Sequence, residues 1–261
     1  MNPVWRNALR LAIGTLTVLR VTPPTVTDRR VAGRAMLLAP LAAVVPALAA
    51  AVVALGGSTL GLPRLVTGLL AVGALALASR GMHLDGLADT ADGLAASYDR
   101  ERALAVMRSG DVGPAGVVTL LVVVVAQAAA IGELAGGWRG SATVLVAVVA
   151  SRGVLALCCA ARVPSARPTG LGATVAGSVP TAAALAAGLV TVAASALVLV
   201  GLGHEWWRGS LAVAIGFASA AVLLKRCVSR LGGITGDVLG ACVEVTLTAA
   251  LVVLAAHPPG T

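Results

Sequence analysis

The chain has 261 residues, of which 58% are hydrophobic and 11% charged, with a mean hydropathy of +0.96. Soluble domains carry about 25% charged residues, so this composition excludes a soluble globular protein and points to a chain that crosses a membrane repeatedly. The net charge of +8 comes from arginines scattered between apolar runs, which is the habit of inner membrane loops and not the concentrated basic face of a nucleic-acid binder.

Taken in order, residues 1–20 set Arg6, Arg10 and Arg20 among Trp5, Leu9, Leu11, Ile13, Leu16 and Leu19. This predicts an amphipathic helix lying in the interface. With no long apolar core and no small-residue cleavage site, it does not read as a signal peptide. Pro23-Pro24 breaks residues 21–34 into a loop, so 1–34 is expected to be an interfacial segment. Spans are expected at about 35–56, 65–80, 114–135, 142–161, 180–202, 209–225 and 238–256. The fold class is all-α: a polytopic membrane bundle of about seven transmembrane helices plus the N-terminal amphipathic helix, in one integral membrane domain over 1–261.

All but four of the 19 Lys and Arg fall on one side of these spans. Arg64, Arg139 and Arg208 fall on the other, and Arg152 falls inside a span. The positive side is expected to be cytoplasmic, with Trp138, Trp206 and Trp207 as aromatic anchors at the opposite interface. The N-terminus, the acidic segment 81–113 and the loops 161–179 and 226–237 then face the cytoplasm. Cys158, Cys159, Cys227 and Cys242 make no CxxC or CxxH pair and read as small core residues.

In a chain this apolar, three aspartates within eight residues stand out: Asp85, Asp89 and Asp92, in the pattern D-G-x-x-D-x-x-D-G. At ~3.6 residues per turn they share a stripe roughly 60° wide. Carboxylates so placed repel one another unless a cation lies between them, and an all-oxygen set suits Mg²⁺ shared with substrate phosphates. A metal-assisted phosphoryl transfer site is the functional reading; a solvated acidic turn is the plain one. His83 beside the stripe suits a base, a ligand, a substrate contact or a group that orients Asp85. The charged run 98–108, with Arg108 at its end, reads mostly as a solvated helix face. Asp111 follows among Gly110, Gly113 and Gly116, where a span begins, as a metal ligand or general base. Arg152, inside a span, reads as the partner of an acid or as a phosphate contact. Arg167, in a Pro/Gly loop, suits a clamp on an anion. Asp237 and Glu244 lie two turns apart on one helix face, the second deep enough to need an arginine, a metal or a wet cleft.

These motifs, in this order, resemble the cobalamin synthase family, the adenosylcobinamide-GDP ribazoletransferases. The resemblance rests on H-L-D-G-L-A-D-T-A-D-G, R-E-R-x-L-x-V-M-R, the glycine-rich D-x-G-x-x-G, S-A-R-P-T-G-L-G and G-I-T-G-D-V-L-G-A, and covers nearly the whole chain. It implies a multi-pass enzyme of the inner membrane that requires Mg²⁺. Such an enzyme joins α-ribazole, or its 5'-phosphate, to adenosylcobinamide-GDP and releases GMP. Carried over by position, Asp85, Asp89, Asp92, Asp111 and Asp237 hold the metal. Arg152, Arg167 and Arg108 contact substrate, and Asp89, Asp111 or His83 takes part in proton transfer. The expected partners are these two substrates, membrane lipid and a second copy of the chain, with no nucleic acid.

Two rivals differ in kind. A CDP-alcohol phosphotransferase has a related acidic motif, but the spacing here differs and the Ala-Arg that should follow is missing. A cation-coupled transporter needs carboxylates at mid-membrane on several spans, and only Glu244 and Glu133 come near that.

Overall fold

A computed structural model describes residues 2–256, and within them the chain is helical with no strand. Helix α1 (Pro3–Leu16) starts where Asn2 accepts the Val4 amide proton and Pro3 supplies a preset first turn. It buries Asn7, Ala8, Ala12 and Leu16. Helix α2 (Arg29–Leu37) begins inside the stretch expected to be a loop, because Asp28 accepts the Val31 amide proton at 2.8 Å and caps it. The irregular segment therefore ends at Asp28 and not at position 34.

The short α3 (Ala39–Ala42) and α4 (Val44–Thr59) form one apolar stretch of 21 residues. Next come α5 (Arg64–Ala78), α6 (Met82–Ala96) and the short α7 (Arg100–Val106). Helix α8 (Pro114–Leu134) is a second long apolar stretch, and α9 (Trp138–Arg152) with α10 (Val154–Cys158) a third. A single turn of helix, α11 (Leu171–Val175), precedes α12 (Thr181–Gly201), α13 (Arg208–Leu231) and α14 (Gly236–Ala255). Six of these stretches are long and apolar enough to cross a membrane, or seven when the bent pair α5–α6 counts as one. The expected spans agree with them to within a few residues at most ends. The main exceptions are 35–56, which begins at Ala39, 142–161, which begins at Trp138, and 209–225, which runs on to Leu231 and carries Lys225, Arg226 and Arg230 within its helix.

Helix α5 has 15 residues, or about 22 Å at 1.5 Å per residue, against a hydrocarbon core of about 30 Å. The chain turns through 94° after it. Arg80 (φ 58°) and Gly81 (φ 67°) both adopt left-handed backbone at the corner. Arg80 is held there by its own side chain, whose Nη2 donates to the Gly14 and Thr15 carbonyls at 2.9 Å each. A cation at the C-terminal end of α1 also suits the helix dipole. Helix α6 therefore does not continue in the direction of α5 but packs against α8 and α14.

Contacts between segments sort the helix ends into two faces. On one, Arg64 Nη1 meets Glu133 Oε2 at 2.5 Å and Thr143 Oγ1 meets His204 Nε2 at 2.8 Å. Trp138, Trp206 and Trp207 are exposed there, as interfacial anchors would be. On the other, the loop at 164–166 pairs with Ile234 through two backbone hydrogen bonds of 2.9 Å. That face also holds α6, α7 and every acidic motif residue.

Between the faces α14 is the central post, touching α6, α8, α9, α10 and α13. Because lipid tails are as apolar as leucine, such a bundle holds together by close packing and needs small residues at its contacts. Gly68 on α5 shows this: a Cβ there would lie 1.8 Å from the Ala128 carbonyl oxygen of α8. Leucines and valines on α8 and α12 such as Leu121, Val122, Leu189 and Leu197 point outward, as lipid-facing residues do. We expect Gly68→Val to lower the melting temperature of the detergent-purified protein by several degrees, since forcing methyl groups into a tight contact costs about 1–3 kcal/mol. Gly73→Ala, where nothing lies within 4 Å of the added Cβ, should leave it unchanged or slightly raised.

Candidate active site

Helix α6 crosses the first turns of α14 at two glycines. A Cβ on Gly86 would sit 2.6 Å from the Asp237 carbonyl oxygen, and one on Gly240 would sit 3.1 Å from His83 Cα. This contact brings Asp237, in the first turn of α14, beside the acidic stripe of α6. Asp85 is exposed, while Asp89 and Asp237 are half-buried. Asp89 feels the charges of Asp85, Asp237 and Asp92, and of Arg167 in the opposite sense. Arg167 Nη1 lies 3.8 Å from Asp237 Oδ2, and its Nη2 donates to the Leu104 carbonyl at 3.0 Å. Thr235 caps α14 by accepting the Val238 amide proton, and its hydroxyl donates to Asp237 Oδ2 at 3.1 Å. A cavity of about 170 Å³ opens beside this group, lined by Ser165, Arg167, Thr169, Leu171, Thr235 and Asp237 among others.

The stripe does not act as one unit. Asp92 is 6% exposed and lies seven residues, about 10 Å along the axis, from Asp85. Its Oδ2 accepts the Gly113 amide proton at 2.7 Å and its Oδ1 that of Gly116 at 2.8 Å, both at the start of α8. Asp111 is exposed on the loop before α8, at the edge of an open cavity of about 450 Å³ that Asp92, Val106 and Ser109 also line. It is not among the charges felt by Asp89. Asp85, Asp89 and Asp237 thus converge, and Asp92 and Asp111 form a neighbouring group. Among the described residues, no three His, Cys, Asp or Glu side chains come close enough to cage a metal ion by themselves.

Two residues expected to meet substrate are buried beneath the site. His83 is 3% exposed and Arg152 is 1% exposed. Arg152 Nη2 lies 3.3 Å from His83 Nδ1, and its Nη1 donates to Ser151 Oγ at 2.8 Å. Burial, and then the Arg152 charge, hold the imidazole well below its ordinary pKa, so it stays neutral and Nδ1 accepts. Neither side chain reaches the surface where Asp85 and Asp89 lie. Glu244, deeper on α14, accepts from Gln127 Nε2 at 2.7 Å and lies within the field of Arg152. Glu133 pairs with Arg64 at the opposite face. That leaves Glu244 as the acid in the interior of a span, too little for an ion pathway on several spans. Arg108 is exposed, and its charge reaches Arg167.

The run 98–108 is more than a solvated face. Arg100 donates from Nε to the Leu231 carbonyl (2.7 Å) and from Nη2 to the Ala166 carbonyl (2.8 Å). Arg230 donates to the Ser97 carbonyl at 2.6 Å and stacks 4.0 Å from the Tyr98 ring centroid. No sequence signal marks these two arginines, since their partners are backbone oxygens. Thr235 could have been found as a hydroxyl residue three positions before an apolar helical run.

A family model described as cobalamin-5-phosphate synthase matches residues 8–255. A protein of a Nocardioides species named adenosylcobinamide-GDP ribazoletransferase is 49% identical over 252 residues, covering 97% of this chain and 100% of its own. Proteins of the same name from Frankia casuarinae and Pseudomonas aeruginosa are 40% and 36% identical, each over 96% of this chain and 95% and 99% of their own. No solved structure matches.

Asp89 supplies a pH test. Partial burial first, then the charges of Asp85, Asp237 and Asp92, raise its carboxyl from the ordinary 3.8 to about 6. The folded chain holds this proton more tightly than the unfolded chain, so its stabilising effect is complete below about 3.8 and is lost as pH rises through about 6. Asp89→Asn is expected to melt higher than wild type at pH 7.5 in chelator-treated detergent solution, and close to wild type below about pH 3.8. An equal difference at both pH values would show that Asp89 carries no such shift.

Proposed function

The chain belongs to the cobalamin-5-phosphate synthase family, and on that premise we propose that it transfers α-ribazole, or its 5'-phosphate, onto adenosylcobinamide-GDP with release of GMP. The observation that carries this reading is the meeting of Asp85, Asp89, Asp237 and Arg167 at one end of the bundle. Three acids with Arg167 as their nearest guanidinium repel one another, a repulsion that adds to burial in raising the Asp89 carboxyl, and a divalent cation would relieve it. The donors are all oxygen, which suits Mg²⁺. Mg²⁺ commonly takes one or two carboxylates and completes its shell with water and substrate phosphates, so a closed protein cage is not required. Asp85, Asp89 and Asp237 would hold the ion. When bound, it would neutralise the diphosphate and the charge that gathers on the leaving GMP.

The protein residues do the rest. Arg167, with Arg108 behind it, binds the diphosphate, and its tie to Asp237 keeps the guanidinium aimed at the acidic group. The ribazole hydroxyl forms a bond to the phosphorus attached to cobinamide. The bond from that phosphorus to the bridging oxygen breaks, and GMP leaves with that oxygen. Asp111, open to solvent and apart from the other three acids, takes the hydroxyl proton. His83 and Arg152 support α6 from beneath. On this reading the acidic face is the cytoplasmic face of the inner membrane, where soluble nucleotide substrates reach it. The excess of Lys and Arg on that side supports this orientation.

The test is GMP release from adenosylcobinamide-GDP and α-ribazole by the purified protein, with and without Mg²⁺. We expect turnover to need the metal, and Asp85→Ala, Asp89→Ala and Asp237→Ala each to lower it by at least a hundredfold while the protein still inserts and elutes as a folded species. Arg167→Ala should raise KM for adenosylcobinamide-GDP about tenfold or more. Full activity in the Asp85 or Asp89 variant would remove the metal assignment, and a Cys at position 85 labelled only from the periplasm would remove the orientation.

A further inference from the structure

We propose that Asp92 is a positioning residue that fixes the loop carrying Asp111, and is not a third metal ligand of the acidic stripe. The proposal rests on the metal site just described and divides the labour within it. Both Asp92 oxygens are already engaged, one by each of two amides at the N-terminus of α8, at 2.7 and 2.8 Å. The first amides of a helix have no partner within it, and an ionised carboxylate is the acceptor that satisfies them best. The side chain is buried at 6% exposure, far less open to a cation than the exposed Asp85.

The two glycines are an independent sign. A Cβ on Gly113 would fall 2.5 Å from Asp92 Oδ1, and one on Gly116 would fall 2.3 Å from Oδ2. Neither position needs glycine for its backbone: Gly113 has φ −83° and ψ 172°, and Gly116 lies within the helix. The glycines of the D-x-G-x-x-G motif are there to admit a carboxylate belonging to the protein, not a phosphate from a ligand. Asp111 stands two residues before Gly113, so the grip of Asp92 on Gly113 sets where Asp111 stands relative to α6. The motif D-x-x-x-D-x-x-D thereby joins two functions on one helix: Asp85 and Asp89 face the cation, and Asp92 holds the loop of the base.

Three variants separate an anchor from a ligand. Mn²⁺ binding is followed by electron paramagnetic resonance with adenosylcobinamide-GDP present and ribazole absent, alongside kcat, KM and melting temperature. Asp89→Asn should weaken Mn²⁺ tenfold or more. Asp92→Asn and Gly116→Ala should both keep Mn²⁺ affinity within about twofold of wild type, lose at least tenfold in kcat with KM little changed, and melt lower. Gly116→Ala is the sharper of the two, because a methyl group at position 116 cannot remove a metal ligand. Should it fail to accumulate, Asp92→Cys combined with Gly113→Cys replaces the anchor by a disulfide. Oxidation should then recover part of the turnover lost in Asp92→Cys, and reduction should abolish the gain. The proposal is overturned if Asp92→Asn weakens Mn²⁺ as much as Asp89→Asn does, if Gly116→Ala keeps full kcat, or if the cross-link forms without recovery. If instead Asp89→Asn leaves Mn²⁺ affinity untouched, the metal site itself fails, while Gly116→Ala and the cross-link still decide the role of Asp92.

Discussion

The acidic face depends on how closely α6 can approach α14. Gly86 and Gly240 remove the two side chains that would keep the helices apart, and the Asp237 backbone fills the space at Gly86. Without that contact, Asp237 would belong to a different part of the surface from Asp85 and Asp89. The approach is possible because the chain does not run straight from α5 into α6. The left-handed corner at Arg80 and Gly81 turns it through 94°, so that its side lies over the ends of α14 and α8. A short span, a tight corner and two glycines thus do together what no one of them does alone.

Beneath this crossing lies a polar layer in otherwise apolar surroundings. His83, Arg152 and Ser151 form one group, and Glu244, Gln127 and Thr248 form the next. His83 Nε2, Arg152 Nε and Gln127 Oε1 are buried with no partner among the protein groups described. Unpaired polar atoms in a packed interior are costly, and ordered water is their usual partner. A buried polar layer that needs every member in place favours one docking of α6 on its neighbours over a sliding set of alternatives.

Much of the fold was legible because the constraints that act on it are simple. Crossing hydrocarbon demands long apolar helices, and the distribution of arginines and tryptophans along the chain marks where they end. The acidic stripe was legible as a stripe. What could not be read was what lies opposite each member of it. Periodicity gives the angle around α6, which Asp85, Asp89 and Asp92 share, but not the partner: α14 for the first two and the start of α8 for the third. Arg152 was recognised as an unusual charge, yet whether it turns up to substrate or inward to His83 is decided by tertiary packing. Helix α2 was missed because a proline pair outweighed a single capping aspartate, Asp28, four residues further on.

The fastening of α7 has a consequence for how such molecules diverge. Arg100, Arg230 and Arg167 hold the rim by donating to the carbonyl oxygens of Leu231, Ala166, Ser97 and Leu104. A carbonyl oxygen is present whatever residue occupies the position. The receiving sites are therefore free to drift without loosening the clasp, while the donors are not. Pairs of this sort leave no trace of compensating change between columns of related sequences, so methods that infer proximity from correlated substitution will be blind to the bonds that hold this rim in place.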